Sequence, residues 1–265
     1  MTLCTAWIRK DKNMEELLVA TDSRLRSFGS WDCNPKIFTF ERTDCAMCFA
    51  GDTTFAYPMM IQIKNTVDSN PKIKSRFQRI GVFKGIIVKI MNDMLKFKSD
   101  YELPEIEFLF VGYDWQSNQF KIWKILYDKN FQKFTSIAMR SWKGTGGNKK
   151  AIFIGDYVKD AKARLIQKLR EAGKLDSGDF NYEPFQVLCD MLNEGKDSDK
   201  YKDIGGAPQL IKIYKHLNRV SIAIDWEEKG EKFVTLLGRP LVLENPLNPI
   251  MDPTSLILRN TNKYN

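Results

Sequence analysis

The second residue of the chain is a threonine, directly after Met1. A side chain that small allows an initiator methionine to be trimmed, and the chain is then expected to begin with a threonine carrying both a hydroxyl and a free α-amine. The hydroxyl is a weak nucleophile until something takes its proton, and an α-amine with a pKa of about 8 can do so near neutral pH. Three further segments hold residues that could assist. VATDSR (Val19 to Arg24) places Asp22 at the end of a strand candidate, NPKIFTF (Asn34 to Phe40) places Lys36 at the start of another, and FAGD (Phe49 to Asp52) places Gly51 where a strand passes into a helix. In an antiparallel sheet the three can converge on the first residue of the first strand. A lysine there lowers the proton affinity of amine and hydroxyl by its charge, an aspartate holds the lysine, and a glycine lets a backbone N–H reach a developing oxyanion. Singly, each has a plainer reading: Asp22 a turn carboxylate, Lys36 a solvated strand end, Gly51 a turn glycine. Only the set, taken with Thr2, points to hydrolysis by nucleophilic attack.

Other residues carry less. GTGGNKK (Gly144 to Lys150) lacks the Walker spacing and is followed by a strand candidate, where a phosphate loop needs a helix. Trp115, Trp123 and Trp142 lie near Lys121, Lys124 and Lys143 and could stack bases, but sheet packing explains them equally well. Cys45 and Cys48 form a C-x-x-C inside a strand-like run, which sends their side chains to opposite faces and suits core packing better than zinc or redox chemistry. The five cysteines, an odd number, form no disulfide framework and fit a reducing compartment. His216, the single histidine, reads as a structural or surface residue before a turn at Leu217 to Asn218. The net charge of +8 permits an anionic partner, but the lysines are spread along the chain as on a solvated surface. With no long apolar run and no signal-like start, the chain is expected to be soluble and cytoplasmic.

The elements that must position these residues follow from hydrophobic periodicity. Thr2 to Ile8 and Leu17 to Thr21 form a hairpin around Lys10 to Glu16, and Lys36 to Phe40 and Cys45 to Ala50 add two strands. Thr53 to Val67 and Ser75 to Phe97 read as helices, the second with Ile80, Phe83, Ile87, Ile90 and Met94 on one stripe. Ile106 to Val111, Phe120 to Tyr127, Phe134 to Met139 and Ala151 to Ile154 read as an antiparallel meander. A second helical pair, Tyr157 to Ala172 and Glu183 to Asn193, leads into strands Gln209 to Tyr214, Val220 to Asp225 and Lys232 to Leu237. Helices that arrive in pairs must each cover one face of a sheet. The expected class is therefore α+β, a four-layer αββα sandwich of two antiparallel sheets. Residues 1–238 would form this domain, and residues 239–265, with four prolines, an extended arm.

Thr2, VATDSR, Lys36 and FAG resemble, in order and approximate spacing, the proteasome β-subunit and bacterial HslV protease family of N-terminal-nucleophile hydrolases. The match extends to GTGG (Gly144 to Gly147), where the family has a glycine-flanked serine, and to IGGAPQL (Ile204 to Leu210), similar to its Gly-Gly turn before a strand. The resemblance implies Thr2 as nucleophile and, through its amine, proton acceptor. It implies Lys36 and Asp22 as tuning residues, Gly51 as the oxyanion donor and Thr145 at the auxiliary serine position. The reaction would be cleavage of peptide bonds through an acyl-enzyme ester, with no metal or organic cofactor. Peptide or unfolded protein would be the substrate, a homo-oligomeric ring the assembly and an ATP-dependent unfoldase the partner, with no role for membrane or nucleic acid. Three departures stand out. Arg26 sits where the family has a small residue, Ile204 sits at a second auxiliary serine position, and Tyr201 replaces an aspartate for which Asp199 or Asp203 could substitute. A catalytically silent binding or assembly subunit, and a small-molecule amidase on the same fold, are the alternatives.

Overall fold

The computed structural model describes residues 2–11, 14–26, 29–99, 102–216, 218–242 and 247–260. Met1, whose trimming the sequence reading expects, lies outside them, as does Leu217. The chain opens with β1 (Leu3–Asp11) and β2 (Met14–Thr21), paired antiparallel from Cys4 opposite Thr21 to Asp11 opposite Met14. A short ribbon of β3 (Leu25–Arg26) and β4 (Ser30–Trp31) precedes β5 (Ile37–Thr39) and β6 (Cys45–Gly51). Asp52 caps α1 (Thr53–Ser69) by accepting from the Thr54 N–H, and Asn70 caps α2 (Pro71–Lys74). The long helix expected over Ser75 to Phe97 starts later, as α3 (Ile80–Leu95). Ser75 is the reason: its Oγ accepts from the Phe77 N–H, a local bond that competes with helix, and only from Ile80 onward does the apolar stripe take over.

β7 (Ile106–Asp114), β8 (Gln119–Asp128) and β9 (Lys133–Ala138) form the expected meander. β10 (Ala151–Gly155) does not continue it: it pairs with β1, from Leu3 opposite Gly155 to Trp7 opposite Ala151. Then come α4 (Val158–Glu171), α5 (Glu183–Glu194), β11 (Gln209–Tyr214), β12 (Val220–Glu228) and β13 (Glu231–Leu236). Beyond Gly238, β14 (Arg239–Pro240) pairs with β13, β15 (Ile250–Met251) lies parallel to β12, and β16 (Leu258–Arg259) pairs with β15. One sheet thus runs β10-β1-β2-β11-β12-β13-β14 and another β5-β6-β7-β8-β9.

The class is α+β, built on antiparallel sheets. Both faces of the central strands are apolar, and the period of two sends alternate residues into different clusters. Leu3 and Trp7 of β1 and Leu18 and Ala20 of β2 pack with Leu165 and Leu169 of α4 and Phe185 and Leu188 of α5. Met47 and Phe49 of β6 and Phe108 and Phe110 of β7 pack with Met60 and Ile63 of α1 and Phe83 and Ile87 of α3. The intervening residues, Cys4, Ala6 and Val19 of the first sheet and Ala46, Cys48 and Leu109 of the second, share a third cluster. Cys45 belongs to the cluster with α1 and α3 and Cys48 to the third, so the C-x-x-C pair does face opposite ways. Both thiols are free and buried, and burial pushes their pKa values up. Among the described residues no helix is long and apolar enough to cross a membrane, and no cluster of His, Cys, Asp and Glu could hold a metal ion.

Candidate active site

The hairpin register brings the first two candidates together. Thr21 stands opposite Cys4, so Asp22 lies beside the start of β1 and its Oδ1 accepts from the Leu3 N–H at 3.1 Å. Lys36, one residue before β5, reaches the same point. Its Nζ donates to Thr2 Oγ1 at 2.7 Å and to the two Asp22 oxygens at 3.0 and 2.9 Å. Thr2 is 1 % exposed and both Asp22 and Lys36 are 0 % exposed, so the contact is shielded from water. Oδ2 of Asp22 also accepts from the Arg24 and Gly205 N–H groups, at 3.1 and 3.2 Å. Three backbone donors and one ammonium therefore hold the carboxylate, and in a water-free setting such charge-assisted bonds fix geometry strongly. The ammonium is placed to stabilise negative charge growing on Thr2 Oγ1.

Three residues of this site escape the sequence reading. Gln209, fully buried at the start of β11, ties the segments carrying Asp22 and Lys36 to each other. Its Nε2 donates to Asn34 O at 2.7 Å and Ser23 Oγ at 3.0 Å, and its Oε1 accepts from the Lys36 N–H at 3.0 Å. A glutamine opening an apolar strand was the available signal. Asp156 follows β10, and its Oδ2 accepts from the Thr2 nitrogen at 2.6 Å while its own N–H donates to Thr2 O at 2.7 Å. Gly155, with φ of +94°, lies against Thr2: a Cβ there would sit 2.0 Å from Thr2 O. These two could be found only by knowing that β10 pairs with β1, which the expected meander hid. Gly155→Ala is expected to displace Thr2, and any reaction that uses Thr2 Oγ1 should slow about a hundredfold, since a shift of about 1 Å at a reacting group costs that much. The left-handed backbone adds about 1–3 kcal/mol of strain, readable as a lower Tm.

Gly51 ends β6 with φ of +116°, and a Cβ there would meet Glu105 O at 2.2 Å, so glycine is required. It closes the same end of the sheets as Thr2, because Ala50 beside it approaches Gly155. Thr145 is not brought to the site, and its placement at an auxiliary position is corrected. It lines a cleft of about 240 Å³ with Lys10 and Glu15, and its Oγ1 donates to Trp142 O. Lys10 is seven residues along β1 from Leu3, which puts this cleft on the order of 20 Å from Thr2. The residue at the Thr2 nitrogen is instead Asp156. Asp199 is exposed, and Asp203 accepts from Arg26 at 2.5 Å and from the Tyr157 hydroxyl at 2.7 Å. Burial alone would raise the Asp203 pKa, but the bonds from Tyr157 and Arg26 hold it below the usual carboxylate range, and burial and Asp203 push Tyr157 up to about 12. Ile204 is buried in the α4 and α5 cluster with Tyr201.

The arrangement of sheets and helices described above has a counterpart among solved structures. A solved structure that shares it is the Anbu (Gly-1) mutant from Hyphomicrobium sp. strain MC1, with a TM-score of 0.56 and 11% identity, over 90% of this chain and 87% of that one. No family model matches the chain, and no curated protein matches it in sequence. Membership of the proteasome β-subunit and HslV family, expected from the motifs, is therefore corrected: those motifs are short, no family model recognises them here, and 11% identity shows a common fold alone.

Proposed function

We propose that the chain is an N-terminal threonine hydrolase that cleaves peptide bonds through an acyl-enzyme ester. The observation that carries this reading is the 2.7 Å contact of Lys36 Nζ with Thr2 Oγ1, held by Asp22 in a buried setting. The reading requires that whatever precedes Thr2 be removed. The freed α-amine then takes the Oγ1 proton, Lys36 stabilises the oxygen as it attacks the carbonyl carbon, and the Gly51 N–H receives the charge of the tetrahedral intermediate. Collapse expels the amine product, protonated by the α-ammonium, and leaves an ester on Thr2 that water hydrolyses. Helices, sheet, sheet and helices in four layers are the architecture this proposal adopts, supported by the three apolar clusters. The test is the intact mass of the protein after incubation with a peptide epoxyketone, which captures hydroxyl and amine together. A chain starting at Thr2 and carrying one adduct supports the reading, and an unmodified chain that retains Met1 overturns it.

Asp156 sets the pH at which such a site would work. The Thr2 nitrogen lies 2.6 Å from its carboxyl, and an opposite charge that close favours the protonated amine, whereas Lys36 on the hydroxyl side acts in the other direction. Activity requires the neutral amine, so it rises with pH, and Asp156 moves the rise upward. Asp156→Asn is expected to move the rising limb of kcat/KM to lower pH by on the order of one unit. An unmoved limb would place the base elsewhere.

A further inference from the structure

The opposite end of the sheets holds a cleft of about 310 Å³ that the proposed hydrolysis does not use. Seven residues from four segments line it: Asp44 just before β6, Arg76 and Phe77 before α3, Tyr113 and Trp115 where β7 turns toward β8, and Lys215 and His216 after β11. Gly51 pairs with Ile106 at the Thr2 end and Cys45 with Gly112 at this one, so the two sites are about 20 Å apart along β6.

The cleft offers two kinds of recognition. Phe77 is 88 % exposed and Trp115 is 50 % exposed, while Tyr113 is buried beneath and meets the His216 ring edge-on at 6.0 Å. The Trp115 indole N–H donates to Arg76 O at 3.0 Å, which fixes the ring beside the guanidinium's own residue and leaves half of its surface in water. Arg76 itself donates to Thr43 Oγ1 and Asn218 Oδ1, both neutral, and among the described residues it forms no ion pair with a carboxylate. The carboxylates at hand are engaged elsewhere. Asp44, in the cleft wall, is held in a two-bond pair by Arg42 at 2.8 and 2.9 Å, and Glu15 pairs with Lys215. An unneutralised guanidinium beside exposed aromatic faces suits a ligand that joins a flat ring to an anionic group.

We propose that this cleft binds a small anion bearing a planar ring, of the mononucleotide class, with the ring against Trp115 and Phe77 and the phosphate on Arg76. Its volume suits such a ligand and not a folded partner. The test is calorimetric titration of the full chain with adenosine monophosphate, adenosine and inorganic phosphate. Adenosine monophosphate is expected to bind, with adenosine and phosphate each at least about tenfold weaker. Arg76→Gln should weaken the monophosphate about tenfold and leave adenosine unchanged, whereas Trp115→Ala should weaken both. No binding up to millimolar monophosphate, or adenosine or phosphate alone binding as tightly, overturns the proposal. So does sedimentation as an oligomer that Phe77→Ala dissociates, which would make the cleft a contact between copies of the chain.

Discussion

Thr2→Ala is expected to abolish peptide hydrolysis, with kcat/KM falling by on the order of 10⁶, and to leave the fold in place. A nucleophile acts as part of a unit with its base, so its removal costs as much as removal of the whole unit. The structural cost is small because one hydroxyl and one methyl are lost. The Lys36 ammonium keeps both bonds to Asp22, and the Thr2 nitrogen and carbonyl keep theirs to Asp156. The loss of one net hydrogen bond corresponds to about 1–2 kcal/mol, which a denaturant titration would resolve. Thr2→Ser is the matching control: it keeps the hydroxyl and should retain most activity and the epoxyketone adduct. Full activity in the alanine variant would remove Thr2 from the mechanism. Loss of folding in the same variant would instead make the Lys36–Thr2 contact structural.

The candidate centre was legible in the sequence because its parts sit at strand ends, where local signals are strong. Asp22 follows an apolar run, Lys36 interrupts the boundary of another, and Gly51 stands at a junction that a side chain would block by meeting Glu105. What could not be read was long-range pairing. β10 is a short continuous apolar run, Ala-Ile-Phe-Ile, and nothing local says that it joins β1 instead of β9. That single pairing delivers Gly155 and Asp156 to Thr2. The auxiliary role came to Thr145 from the resemblance of GTGG alone, and that loop lies at the far end of β1. Gln209 was hidden differently: its four partners come from two segments, Asp22 with Ser23 and Asn34 with Lys36, both 173 or more residues away in the chain, and a lone polar residue on a strand does not announce them. The helix boundary at Ser75 is a smaller case, decided by a side-chain bond to the Phe77 amide.

Lys36→Met should separate what the buried pair does for chemistry from what it does for folding. The substitution keeps most of the volume and removes the ammonium, leaving the Asp22 carboxylate at 0 % exposure with backbone donors from Leu3, Arg24 and Gly205 only. Breaking a buried pair by removing one partner costs about 3–5 kcal/mol, because the surviving charge is left uncompensated. For a chain of this length that is a fall in Tm on the order of 10 °C. Asp22→Asn should show a loss of the same kind, with the ammonium now the stranded charge. The double variant Asp22→Asn with Lys36→Met strands neither, and its stability should recover toward the parent, giving a coupling energy of several kcal/mol in the cycle. Activity follows a different rule. All three variants lack either the charge beside Thr2 Oγ1 or its anchor, so hydrolysis should stay about a hundredfold or more below the parent even where stability returns. A double variant that is stable yet inactive assigns Lys36 to the reaction. Recovery of both properties together would make the pair a folding device, and the nucleophile would then need another activator.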